Sequence, residues 1–242
     1  MGNVFSDSWE TYSSNTKFVL IFSIPFVISF IIPLFAPLPS FTSLGAIFVR
    51  SASIFTNLNF TTVAVIIAAM FFSLLFISFA FVAISLVVKA RKTRLAISKR
   101  VLQDIEKYIG KVFVVLIMYT IVLLAANIIG YIIGAQTLLT DIVGFFGFIP
   151  VFYAPSAIVI DNRSIVRSLK DSVRLVIKSP AYFIGWLLLA TVVISVIDFV
   201  FVSLLGVYAG YAVLLVVSLF VLPYFVIFLA EAYMRRFPIL KH

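Results

Sequence analysis

Five basic residues, Arg163, Arg167, Lys170, Arg174 and Lys178, follow one another at steps of four, three, four and four. That is the spacing of one face of an α-helix. Cations in such a row bind anions: lipid phosphates, an acidic protein surface or a nucleic-acid backbone. The stretch 163–178 holds no aromatic residue on which a base could stack, which argues against nucleic acid. A second kind of chemistry needs a polar group inside an apolar run. Asp198, in ISVIDFVF, and Asn127, in LLAANIIG, are such groups. A carboxylate deep in hydrocarbon costs about 2.5–3.5 kcal/mol on insertion scales, so it faces a partner, a proton or a cation. Asp198 and Asn127 could line a solute path, Asp198 could hydrogen-bond to Asn127, or Asp198, some sixteen residues into its span and past the midplane, could stand near the outer interface.

Other acids have nearer explanations. Glu231 precedes Arg235 by four residues, the spacing of a helical ion pair. Asp141 opens an apolar run, where an acid suits a helix N-terminus. Asp161 is placed to cap the helix that carries the basic stripe. No H-E-x-x-H, G-x-S-x-G or P-loop occurs; there is no cysteine, and the one histidine is His242. Hydrolysis or phosphotransfer needs paired acids, or a nucleophile with a base. The sequence therefore predicts no catalytic residue, no metal and no cofactor, and a protein that is not an enzyme.

The elements that carry these residues are dictated by composition. Of 242 residues 64% are hydrophobic and 11% charged, with a mean hydropathy of +1.24. Soluble domains carry about 25% charged residues. Six apolar runs approach or exceed the ~20 residues that cross a hydrocarbon core: Phe18–Leu38, Val63–Val88, Val112–Ile133, Ile142–Ile160, Tyr182–Leu205 and Tyr211–Tyr233. They are continuous rather than alternating, which predicts helices and not a β-barrel. The fold class expected is an all-α polytopic membrane bundle, a single transmembrane domain with six spans. Pro25 and Pro33, Pro150 and Pro155, and Pro223 predict irregular first, fourth and sixth spans.

Orientation follows from the charges. Seventeen of the eighteen Lys and Arg residues fall on one side of the six-span layout, and only Arg50 falls on the other. The positive-inside rule then predicts a cell-membrane protein with both termini cytoplasmic. On that side the stripe forms an amphipathic helix, with Ile165, Val166, Leu169, Val173, Val176 and Ile177 facing down and the cations near anionic headgroups. Ile97, Val101, Leu102 and Ile105 make the segment Lys89–Lys111 a helical extension as well. Phe5, Trp9 and Tyr12 recur at i, i+4 and i+7, predicting an interfacial helix over residues 4–16. The N-terminus lacks the pattern of a cleaved signal peptide, while Gly2 and Ser6 fit the short myristoylation pattern. Outside, residues 39–62 place Phe41, Leu44, Ile47 and Phe48 on one helical face, as in a cap on the lipid surface or a re-entrant piece lining a vestibule, and Asn59 heads a glycosylation sequon.

A shift of 71 residues lays Ser85 on Ser156 and Asn127 on Asp198, the trace of a helix–basic segment–helix unit used twice. The segment from Phe152 through Tyr153, Ala154, Pro155, Asp161 and Asn162, followed by Ser168, Ser172 and Pro180, resembles an uncharacterised prokaryotic group of six-span proteins, many of them archaeal. That group is similar in layout to the membrane domain accompanying some glycerophosphodiester phosphodiesterases. The resemblance implies a fold and no reaction, and the phosphodiesterase catalytic domain is absent from this chain. The functional expectation is a non-enzymatic accessory or scaffold protein that engages anionic lipids through Arg163, Arg167, Lys170, Arg174 and Lys178. Its other partner would be a membrane or cytoplasmic protein or a second copy. The rival expectation is a small transporter or channel lined by Asp198 and Asn127.

Overall fold

The computed structural model describes residues 2–35, 40–43, 46–49, 60–93 and 97–236. Its helices are α1 (Gly2–Ser14), α2 (Thr16–Ile31), α3 (Phe60–Lys92), α4 (Ile97–Ile132), α5 (Gln136–Phe152), α6 (Ala154–Asp161), α7 (Ile165–Lys178), α8 (Pro180–Leu205), α9 (Ala209–Val216) and α10 (Leu222–Arg236). Among the described residues five stretches are long and apolar enough to cross a membrane: Val63–Lys92, Asp104–Ile132, Gln136–Asp161, Pro180–Leu205 and Ala209–Arg235. The expected helical membrane bundle is therefore what the chain forms, as a multi-pass membrane protein.

The first expected span differs. α2 has 16 residues, about 24 Å at 1.5 Å per residue, and ends in a 3₁₀ turn, Ile32–Phe35, around Pro33. It reaches spanning length only together with α1, and the two meet at 92°. The bend has a local cause. Asn15 Nδ2 donates to the Thr11 carbonyl (3.0 Å), Ser14 Oγ to that of Glu10 (2.6 Å), and Thr16 Oγ1 to that of Tyr12 (3.1 Å). These side chains take over the last carbonyls of α1 and end it. α1 then lies against α10, not simply on the lipid surface. Phe5 meets Phe228 at 5.0 Å, and Trp9 and Tyr12 flank Tyr224 at 6.3 and 6.1 Å. Val4, Ser8 and Thr11 form its buried face, while Trp9 stays exposed.

α3 and α4, 33 and 36 residues long, are each about 50 Å and outrun a ~30 Å hydrocarbon core. The Lys89–Lys111 segment is thus helical extension, as expected, with residues 94–96 outside the described residues. The fourth span starts earlier than expected, at Gln136, so Asp141 lies inside the helix and not at its N-terminus. It breaks at Tyr153 into α5 and α6. Ala154 to Ile160 of α6 are all buried, with Ser156 the one hydroxyl among them; a helix covered on every side and almost wholly apolar belongs in the centre. The sixth span carries one π turn, Val217–Val221, just before Pro223. Proline cannot donate to the carbonyl four residues back and clashes with it, and a widened turn relieves both.

Among the described residues three apolar clusters hold the bundle. The largest joins α1, α2, α3, α6, α7 and α10 through Val19, Phe26, Ile84, Tyr153, Phe228 and Tyr233. A second packs α3, α4 and α6 through Leu86, Tyr108, Val112 and Ile158. The third sets Ala190 of α8 against Val213, Val217, Val221 and Phe225.

Two expectations fail on geometry. Phe41 and Phe48 do not share a helical face: Ser40–Ser43 and Ala46–Val49 pair as an antiparallel hairpin with Phe41 opposite Phe48. The aromatic and β-branched residues Phe41, Thr42, Ile47, Phe48 and Val49 favour the extended chain. Leu44, Arg50 and the Asn59 sequon lie outside the described residues. The two units of the 71-residue repeat also take different shapes. In the first, the basic segment continues its flanking helices; in the second, it is a separate helix, α7.

The α4–α5 turn depends on a glycine. A Cβ on Gly130 would lie 2.7 Å from the Cα of Gln136, inside the hard-sphere limit of two backbones. Gly130→Ala is predicted to lower stability by about 1–2 kcal/mol, read as an earlier thermal midpoint in detergent.

Candidate functional site

α7 is set apart from α6 by Asn162, which takes the left-handed conformation (φ 52°, ψ 39°) that asparagine tolerates. Ser164 is extended, and the helix begins at Ile165. Asp161 does not cap it. Its carboxylate accepts from Tyr233 Oη (2.9 Å) and lies 3.8 Å from Arg163 Nε, which is 3.4 Å from Asp171.

The face that α7 buries differs from the one expected. Ser168, Ser172, Leu175 and Val176 are buried, whereas Val166 and Ile177 are 62% and 72% exposed. The helix is thus docked on protein along its small residues, with part of its apolar side left open. Ser172 explains the docking. Its hydroxyl accepts from the Tyr153 N–H (3.0 Å) and donates to the Ile149 carbonyl (2.7 Å). Those two backbone groups would bond to each other in an unbroken helix. Ser172 is inserted into the ladder of the fourth span where it bends between Pro150 and Pro155, and satisfies both freed groups. The sequence signal was the pair Ser168 and Ser172, four apart inside an otherwise charged and apolar helix.

Beside this contact lies an open groove of about 600 Å³, lined by Pro150, Leu169, Lys170, Val173, Arg174, Ile177 and Lys178. Its walls are apolar, and Lys170, Arg174 and Lys178 stand along it at i, i+4 and i+8.

Most of the neighbouring cations are committed elsewhere. Lys89 Nζ donates to the Val159 carbonyl (2.8 Å) at the C-terminal end of α6 and sits 5.5 Å from the Tyr108 ring. Lys111 Nζ bonds Asn162 Oδ1 (3.3 Å). Lys92 Nζ is 3.2 Å from the Glu231 carboxylate, which is 4% exposed and also accepts from Thr11 Oγ1 (2.8 Å). Arg91 bonds Thr11 and pairs with Glu10. Glu231, expected to pair with Arg235 on its own helix, points into the bundle and meets α1 and α3. Of the five stripe residues Arg163 is drawn into the acidic pair. Arg167, Lys170, Arg174 and Lys178 are exposed and make no ion pair or hydrogen bond among the described residues.

The two intramembrane polar residues are not brought together. Asn127 accepts from Gln136 Nε2 (3.0 Å) and donates to Thr140 Oγ1 (3.4 Å), closing the α4–α5 hairpin. Asp198 is half-exposed on α8 and makes no hydrogen bond or ion pair among the described residues. The expected Asp198–Asn127 hydrogen bond does not form, and Asn127 is committed to its own hairpin.

Comparison of the chain with protein-family models, with curated proteins and with solved structures finds no match.

Proposed function

We propose that this protein is a non-enzymatic membrane accessory protein that holds an anionic phospholipid at α7. The headgroup phosphate sits on Lys170, Arg174 and Lys178, and an acyl chain lies along Pro150, Leu169, Val173 and Ile177. The basic end of the bundle faces the cytoplasm of the cell membrane, where the positive-inside rule puts it. The observation that carries this reading is that cations holding no ion pair or hydrogen bond among the described residues border an apolar groove. A soluble anion would use the charges and leave the groove empty. A phospholipid uses both, burying chain methylenes while its phosphate meets cations on flexible stems.

The test is lipid exchange on the purified full chain in nanodiscs, followed by native mass spectrometry. Phosphatidylglycerol is expected to stay bound where phosphatidylcholine washes away. Each cation near an anionic headgroup contributes about 1 kcal/mol, so Lys170→Gln with Arg174→Gln is predicted to weaken retention roughly 30-fold. Equal retention of the two lipids, or no change in the double variant, would overturn the reading.

A further inference from the structure

α8 is a membrane span that this chain hardly covers: only 6% of its most apolar stretch is buried, against 50% and 56% in the fourth and sixth spans. Its inward face is Trp186, Ala190, Val193, Ile197 and Phe201, packed on the last two helices. Away from that face Thr191, Ser195 and Asp198 follow at steps of four and three, within about 60° of one another on the helix at 100° per residue. Thr191 and Ser195 are exposed and Asp198 half-exposed. Among the described residues none of the three holds a hydrogen bond or ion pair. The hydroxyls are not simply turned back on their own helix. Ser203, two turns beyond Ser195, does that by donating to the Phe199 carbonyl at 2.8 Å.

This row lies at hydrocarbon depth. α8 has 26 residues, about 39 Å against a ~30 Å core, and Asp198 stands seven residues, roughly 10 Å, from its far end. A polar row at that depth, on a face turned away from the chain's own core, needs donors and acceptors that lipid tails lack.

We infer that a second copy of this chain pairs along the Thr191–Ser195–Asp198 face of α8. The row is self-complementary. All copies insert with the same orientation, so a twofold axis along the membrane normal brings equal heights together. Ser195 of one copy then lies three residues, about 4.5 Å along the axis, from Asp198 of the other and donates to a carboxyl oxygen of its side chain. The second Ser195–Asp198 pair forms by symmetry. Thr191 and Ser195 are small enough for the two backbones to approach, as membrane helix pairs require. This pairing does not depend on the lipid proposal, since α8 and the α7 groove share no residue.

Because the chain has no cysteine, single cysteines report the interface directly. In native membranes Ser195→Cys is expected to form a disulfide-linked homodimer under mild oxidation. Val196→Cys, 55% exposed but about 100° round the helix from Ser195, is expected to remain monomeric. Asp198→Leu in a Thr191→Cys background, which crosslinks on the same face and leaves the Ser195 donor in place, is expected to cut the crosslinked fraction at least tenfold, and Asp198→Asn, which keeps an acceptor, to retain most of it. Equal crosslinking at Ser195 and Val196, a monomer throughout, or a crosslink to a different protein would each overturn the inference. Asp198→Leu and Asp198→Asn, compared in the same membranes, separate loss of the interface from loss of the fold.

Discussion

Lys92→Met is predicted to lower the unfolding free energy by about 3 kcal/mol, the low end of what stranding one member of a buried ion pair costs. Glu231 is the buried member, at 4% exposure, while Lys92 is 43% exposed. Removing the lysine leaves a carboxylate inside the bundle with one neutral donor, the Thr11 hydroxyl. The opposite change is milder. Glu231→Gln frees Lys92, whose ammonium can turn to water, and the amide still accepts from Thr11; about 1 kcal/mol is expected. Equilibrium unfolding in mixed micelles measures both, and equal losses would contradict the asymmetry of burial. The link joins α1, α3 and α10 at the basic end of the bundle, so α1 should lose protection from hydrogen exchange first in Lys92→Met.

Ser172→Ala is expected to cost about 2–4 kcal/mol by a different route. It leaves the Tyr153 N–H and the Ile149 carbonyl without the hydroxyl that now separates and satisfies them, each worth about 1–3 kcal/mol when orphaned. Part of the loss returns if the fourth span straightens and the two groups bond to each other. The added prediction is positional. Residues 165–178 should exchange amide hydrogens faster, because the hydrogen bonds that hold α7 to the bend are gone. Lipid retention at Lys170, Arg174 and Lys178 should fall although Ser172 does not line the groove. A variant as stable as the parent, with α7 equally protected, would show that Leu175 and Val176 alone suffice to dock the helix.

Both predictions concern contacts across many residues of chain, which is where sequence reasoning reached least far. Glu231 and Arg235 satisfied the local i,i+4 rule, yet which way a helix turns its residues is decided by what packs on it. α10 buries Val226, Ile227, Ala230 and Tyr233, and Glu231 goes in with them. Asp161 looked like a cap for α7 because it stood at the right distance upstream. Tyr233, buried beside it, and Arg163 claim its carboxylate instead. The stripe itself was legible in position and charge, and α7 runs over Ile165–Lys178 within it. Its docked face was not legible from hydrophobic periodicity, which small hydroxyl residues do not carry; the spacing of Ser168 and Ser172 was its one trace.

The sequence by itself determined that this is a helical membrane protein, where most of its spans run and where its cations gather. Lipid offers the backbone no partners, so each spanning run must satisfy its own hydrogen bonds, and length with apolarity is enough to recognise it. Only the tertiary structure decided that α1 turns through 92° onto α10, that Ser172 completes the broken fourth span, and that Asn127 bonds Gln136 and Thr140 and not Asp198. Those outcomes depend on which helix face meets which neighbour. Local spacing leaves that choice open, and packing with polar satisfaction across the bundle makes it.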